Sequence, residues 1–405
     1  MKTILIYTSP ARGHLYPMMD IAIELKKRGD NVIIQTLAGE KEQVENEGIH
    51  HLSISSEIES LPLKDYKEST PVSQFRSAFN TWLKRAPHEI KDLTESCERI
   101  NPDLLIVDVN TWGAGAFAEA QSKPWAMFMP YCLPIPSRET PAFGPGFPPP
   151  TNFLHRLRDS VVNNLIQSAV RGQVKKLNKL RTSMSVSLLN KYQDIFERPD
   201  LVLYRTAVPF DYPRKNWPEN ILQIGPGLWS PSAEDLNWID DLPFPRILIS
   251  VSTEAQEDSA IIKTALNSLA DEKVSLIVTT AAFDPQDFEA PHEHVRITKF
   301  LSHAEIIHKM DLLVTHGGMG ATQRALAAGV PVCVIPFGRD QSETARRVEV
   351  SGSGIMLPKN KLNEQGLKKA VKEALKRKPG AEKIAQAFKN AGGAKRAVKA
   401  LDGLG

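Results

Sequence analysis

The sequence is poor in the features that would point away from an ordinary folded enzyme. It has 3 cysteines in 405 residues, Cys97, Cys132 and Cys333, odd in number and far apart, with neither a C-x-x-C pair nor a zinc-type spacing, so a disulfide scaffold and a cysteine metal site are both excluded. The thiols read as reduced residues in or near the core. Charge of one sign is also lacking: 50 Lys and Arg stand against 47 Asp and Glu, a net charge of +3 spread along the chain, which gives no electrostatic footprint for nucleic acid. No run reaches about 18 apolar residues, as a membrane-spanning helix needs. The apolar start Ile4-Leu5-Ile6-Tyr7 stops at Thr8 without the small-residue cleavage site of a signal peptide. A soluble, cytoplasmic protein without integral membrane association is therefore expected, a monomer or a homodimer.

The residues present are 41% hydrophobic and 24% charged, as in globular domains, and the length suits two or three of them. Ile4 to Tyr7, a helical pattern from Pro17 to Lys27 ended by Gly29, and Val32-Ile33-Ile34 predict a βαβ unit. Leu104 to Val107 and Trp125 to Met129 predict further buried strands, with a helix over the small residues Gly113 to Ala120 between them. Tyr131 to Pro150 turns to prolines, glycines and aromatics and reads as a long loop. One or two helices follow to Phe196, then a strand at Leu201 to Tyr204.

The densest linker signal falls between Gly225 and Pro245. Beyond it the α/β pattern restarts at Ile247-Leu248-Ile249, Ser275 to Val278, Val295 to Thr298, Leu312 to Val314 and Val332 to Ile335. The reading is thus an N-terminal Rossmann-like domain over 1–225, a linker over 226–245, a second such domain over 246–385, and a C-terminal helix over 386–405 packing back on the first domain. Two facing doubly wound domains place their site in the cleft between them, at the C-terminal ends of parallel strands.

Three places there carry chemistry. His316-Gly317-Gly318-Met319-Gly320-Ala321 follows a strand and opens a helix; glycines let a backbone approach a ligand, and exposed N–H groups with the helix dipole attract a phosphate. A glycine turn that merely packs strand against helix is the competing reading, and neither a P-loop nor a G-x-G-x-x-G fingerprint fits. Asp340-Gln341 after the next strand offers a carboxylate and an amide to vicinal hydroxyls. His14, placed in the first strand-to-helix loop with Pro17 near the helix start, can act as a general base, and Asp108 at the end of its strand can orient it. A helix N-cap is the alternative for Asp108. Phe75, Phe79, Trp82, Trp112, Tyr131 and Phe143 suit a flat hydrophobic ligand, or else core packing. His292-Glu293-His294 lacks the further ligands of a metal site.

Gly13-His14-x-x-Pro17, His316-Gly317-Gly318-x-Gly320 and Gly329-Val330-Pro331 with Asp340-Gln341 together resemble the nucleotide-sugar-dependent inverting glycosyltransferases of the GT-B fold, in particular the bacterial macrolide and antibiotic branch. The resemblance implies a UDP- or dTDP-sugar donor as co-substrate and a small-molecule acceptor such as a polyketide, flavonoid or macrolide, with no metal or other cofactor. It implies His14 as base, Asp108 as its partner, His316 and the amides after it on the diphosphate, and Asp340 and Gln341 on the sugar. Ser250, Ser252 and Thr253 fall near the phosphates, and Phe300, Leu301 and His303 near the base. Three departures stand out. Phe300-Leu301-Ser302-His303 replaces a Trp-x-Pro-Gln segment, Arg324 stands where relatives carry a ribose-binding glutamate, and Ser252 replaces a glycine. C-glycosylation, sugar-nucleotide epimerisation or hydrolysis, and a non-catalytic nucleotide-sugar-binding protein remain the alternatives.

Overall fold

The computed structural model describes residues 1–68, 70–231, 236–252 and 257–404. Two parallel sheets form the frame. The first has the order β3-β2-β1-β4-β5-β6-β7, from β1 (Thr3–Tyr7), β2 (Asn31–Thr36), β3 (His50–Ser53), β4 (Leu104–Asp108), β5 (Trp125–Met129), β6 (Leu201–Tyr204) and β7 (Ile221–Gln223). The second has the order β10-β9-β8-β11-β12-β13, from β8 (Arg246–Ser250), β9 (Ser275–Thr279), β10 (Val295–Thr298), β11 (Leu312–Thr315), β12 (Val332–Val334) and β13 (Gly354–Met356). The strands are short apolar runs because helices cover both faces, leaving no wet side to alternate with.

Those helices are α1 (Arg12–Lys27), α2 (Lys41–Asn46), α3 (Ser56–Glu59), α4 (Pro71–Ile100), α5 (Trp112–Ala120) and α6 (Phe153–Ser183) in the first half. The second half holds α7 (Ser259–Leu269), α8 (His303–Ile306), α9 (Met319–Ala327), α10 (Gln341–Val350), α11 (Glu364–Leu375), α12 (Lys378–Asn390) and α13 (Gly393–Asp402). α12 runs through position 386, so a division there cuts a helix; the chain turns at Ala391-Gly392, and α13 buries Ala397, Val398 and Leu401 with Ile4, Leu15 and Ala22 of the first domain. Gly113 shows why α5 needs small residues, since a Cβ there would stand 2.0 Å from the Ala86 carbonyl of α4.

Strand order reverses between β1 and β4 and again between β8 and β11. At such switch points the loops diverge and leave a crevice beyond the strand ends. The two crevices face each other. The seam beneath them is polar and buried: Arg347 of α10 donates to Asp211 at 2.8 Å and to Glu343 at 2.8 Å, while the Glu343 carboxylate accepts the Gly144 and Gly146 N–H groups at 2.8 and 3.0 Å. The proline-rich segment 131–150, coil throughout, is thereby pinned to the second domain. Cys132 and Cys333 are buried free thiols, and Cys97 is half-buried.

Candidate active site

Between the sheets lies a cleft of about 960 Å³, within the size range of small-molecule sites. Its first wall begins with β1. The helix after it starts at Arg12 and not at Pro17, so His14 sits in the first turn of α1 and not in a loop; Ala11, extended at φ −151°, is the N-cap. Proline removes its own hydrogen bond wherever it stands in a helix. Here the helix simply runs through it, and Gly13 and Pro17 both line the cleft.

β1 and β4 are neighbours, with Tyr7 opposite Val107, and this register brings His14 to Asp108. His14 Nδ1 lies 2.6 Å from Asp108 Oδ2, and the carboxylate side chain is fully buried while the imidazole is 16% exposed. Asp108 does not cap α5. The first N–H groups of that helix, from Gly113 and Ala114, go to Glu89 at 2.8 and 3.4 Å. Burial pushes the Glu89 carboxyl up to about 8, against the pull of those two N–H groups.

Sequence reasoning missed the far side of the imidazole. Asn110 Nδ2 stands 3.3 Å from His14 Nε2, the Asn110 backbone N–H donates to Asp108 Oδ1 at 2.8 Å, and the Asn110 side-chain carbonyl accepts Tyr131 Oη–H at 2.8 Å. With Nδ1–H given to Asp108, Nε2 carries the lone pair, and Asn110 marks where a donor to that lone pair sits. Its only sequence signal was its place two residues past Asp108.

The second wall is built on β8 and β11, where Thr315 pairs with Ser250. Gly317, at φ 101°, turns the chain; a Cβ there would stand 2.6 Å from Val334 Cγ1. His316 folds over Gly318, whose Cβ would stand 2.8 Å from its Nε2. α9 then starts with no side-chain cap, so the first-turn N–H groups of Met319, Gly320 and Ala321 have no helical acceptor. Asp258 lies behind, accepting the Ser252 N–H at 2.6 Å and standing 3.7 Å from His316 Nδ1. Burial raises its carboxyl to about 6.

His14, Ser252, His316, Gly318, Met319, Gly320, Ala321, Asp340 and Gln341 all line this one cleft, with Phe75, Phe79, Trp82, Trp112, Tyr131 and Phe143. The Asp340 carboxyl is raised by burial, against the pull of its own backbone N–H and of the Arg339 and His14 charges, and it lines the same cleft as His14. The side-chain carbonyl of Gln341 is spent on the Phe337 and Gly338 N–H groups at 2.7 and 3.1 Å, which shapes the loop. Phe79 and Trp112 are 2% and 5% exposed; they belong to the core and to the cleft lining together.

Other expected donor residues are not among those lining the cleft. Ser250 is interior to the sheet, Gly317 shapes the turn beneath, Leu301 packs on the core, and Phe300 is 56% exposed. His303 is half-buried beside Thr279, and desolvation together with the charge of Arg324 lowers its ring to about 4. Arg324 donates to the Leu228 and Trp229 carbonyls at 2.7 and 2.9 Å, so its guanidinium clamps the linker. Thr253 lies outside the described residues.

Residues 263–395 match the Erythromycin biosynthesis protein CIII-like C-terminal domain family. Over 92% of its length the chain is 29% identical to 4'-demethylrebeccamycin synthase of Lentzea aerocolonigenes, covering 91% of that protein. It is 25% identical to the NDP-glycosyltransferase YjiC of Bacillus subtilis, covering 97% of this chain and 95% of the other. The chain is a GT-B glycosyltransferase. The fold of this glycosyltransferase matches that of the calicheamicin glycosyltransferase CalG4 with a TM-score of 0.78 at 18% identity, over 100% and 98% of the two chains. It also matches the spinosyn rhamnosyltransferase SpnG, solved with thymidine diphosphate, with a TM-score of 0.69 at 15% identity over 99% and 100%. The chain is thus similar to proteins named for macrolide and antibiotic biosynthesis. None of its described helices is long and apolar enough to cross a membrane.

Proposed function

We propose that this glycosyltransferase moves a sugar from a UDP- or dTDP-sugar to a hydroxyl of a small hydrophobic or aromatic acceptor, with inversion at the anomeric carbon. The single observation that carries the reading is the His14–Asp108 contact of 2.6 Å on one wall of a cleft whose other wall is an uncapped helix N-terminus under His316. The named donor class of YjiC and the thymidine diphosphate in SpnG favour a nucleotide-linked sugar.

In the proposed reaction the acceptor hydroxyl replaces Asn110 at His14 Nε2 and gives up its proton there. Its oxygen attacks the anomeric carbon opposite the leaving group as the bond to the diphosphate breaks. Asp108 stabilises the imidazolium. The nucleoside diphosphate leaves against the first-turn N–H groups of α9 and His316, which supply charge stabilisation without a metal. Asp340, which lines the same cleft as His14, is the hydroxyl acceptor for the sugar. Residues 1–225 serve the acceptor and 246–385 the donor in this scheme. A protein that only bound a nucleotide sugar would have no use for a buried carboxylate on a cleft histidine.

The test is nucleoside-diphosphate release with mass detection of product, across UDP- and dTDP-sugars and phenolic, polyketide and steroid acceptors. An acceptor-dependent product with one added sugar is expected, and His14→Ala abolishes it while donor binding persists. Full activity of that variant removes His14 as base; donor binding without product from any acceptor favours a binding protein.

A further inference from the structure

Helix α6 leaves a continuous apolar stripe uncovered. Phe153, Leu154, Leu157, Val161 and Leu165 are between 50% and 72% exposed, at the three- and four-residue spacing that aligns side chains on one face. Over this stretch only Asp159 is buried, and it is ion-paired to Arg158. One helical repeat further along the same face the character changes: Arg171, Lys175, Lys176 and Lys179 are all exposed. The outward side of α6 thus runs from apolar to cationic, and its only carboxylate is turned inward.

We propose that α6 is a peripheral docking element for an anionic lipid surface, its first half inserting apolar side chains between headgroups and its second half resting on their phosphates. Two features favour this occupant over a second copy of the chain. The uncovered stripe amounts to on the order of 500 Å², short of the about 800 Å² that each partner gives to a stable protein interface. Self-pairing through the stripe also leaves the basic half of the helix without a counter-charge, whereas a lipid surface satisfies both halves at once. The segment Pro145–Asn152 joins α6 to Phe143 and Gly144 of the cleft lining. Docking there brings the acceptor side of the cleft toward a phase in which hydrophobic molecules concentrate.

The experiment is co-sedimentation of the full chain with vesicles of phosphatidylcholine, alone and mixed with phosphatidylglycerol, at low and high salt. Binding to the mixed vesicles is expected to exceed binding to the neutral ones by about tenfold and to weaken with salt. Leu157→Glu/Val161→Glu loses binding to both, and Lys175→Glu/Lys176→Glu/Lys179→Glu loses only the anionic preference. Both variants keep the wild-type melting temperature, because the replaced side chains are exposed. Should the first variant fail to fold, the lysine variant still decides through its salt response. No vesicle binding, or binding that neither variant changes, overturns the proposal. A concentration-dependent dimer in sedimentation that Leu157→Glu/Val161→Glu abolishes overturns it in favour of a second copy.

Discussion

Asp211 and Arg347 meet in the seam between the two domains, Oδ1 to Nε at 2.8 Å, with side chains 0% and 3% exposed. The same guanidinium holds Glu343 at 2.8 Å and lies 4.3 Å over the Tyr212 ring, and Tyr204 Oη donates to the other Asp211 oxygen at 3.0 Å. Arg347→Ala leaves two buried carboxylates without their cation, a loss of about 3–5 kcal/mol. Denaturant unfolding is expected to show it; an unchanged midpoint would mean that the domains hold together without this pair.

Asp108→Asn keeps the shape of the contact to His14 and removes its charge. Turnover is expected to fall by about 10²- to 10⁴-fold with donor affinity nearly unchanged. Steady-state kinetics beside donor titration calorimetry separates this from a fold defect. Since Glu89, not Asp108, receives the first N–H groups of α5, the substitution is expected to leave the melting temperature within a few degrees.

Much of this site was legible in the sequence because it lies at the ends of strongly apolar strands. β1, β4, β8 and β11 each read as a buried run, and His14, Asp108, Ser252 and His316 follow from them by a few residues. What was not legible depends on distant partners. Glu89 reaches α5 from the middle of α4, and nothing in its neighbourhood marks it as a cap. β3, β7 and β13 went unread because they are edge or near-edge strands of three or four residues with polar members such as His50, Ser53, Gln223 and Gly354. The place of Arg324 on the linker was likewise hidden, because a residue that departs from its relatives' pattern does not announce its new partner.

Glu89 gives stability a pH dependence of definite sign. Its carboxyl stands at about 8 in the fold against 4.5 in a free chain, so the native state binds the extra proton between those values. Its contribution is fully present below pH 4.5 and is lost as pH rises toward 8. Glu89→Gln is expected to flatten the fall in melting temperature across that window; a parallel fall in both proteins would show that the carboxyl is ionised in the fold.

Asp258 ties the Ser252 turn to His316. Asp258→Ala frees a buried N–H and a histidine support, a loss of about 1–3 kcal/mol, and is expected to raise the donor KM about tenfold with little change in the acceptor KM. Equal changes in both would assign Asp258 to general packing.

Phe79 and Phe75 separate lining from core. Phe79 is 2% exposed and contacts the rings of Phe75, Trp82, Trp112 and Tyr192, so Phe79→Ala is expected to cost about 3–5 kcal/mol of stability. Phe75 is only partly buried, and Phe75→Ala is expected to raise acceptor KM with a smaller loss on thermal melting.

The two N–H groups that Glu343 takes from Gly144 and Gly146 belong to the segment that lines the acceptor side, while Glu343 itself stands on the helix that Asp340 and Gln341 open. Under the proposed function, sugar choice and acceptor choice are therefore not separable modules in this chain. A chimera that exchanges the second half for that of a relative with another sugar inherits a working acceptor rim only when the incoming half supplies a carboxylate at 343 and an arginine at 347. Without them the graft point lies in the wrong place, and segment 131–150 has to travel with the donor half.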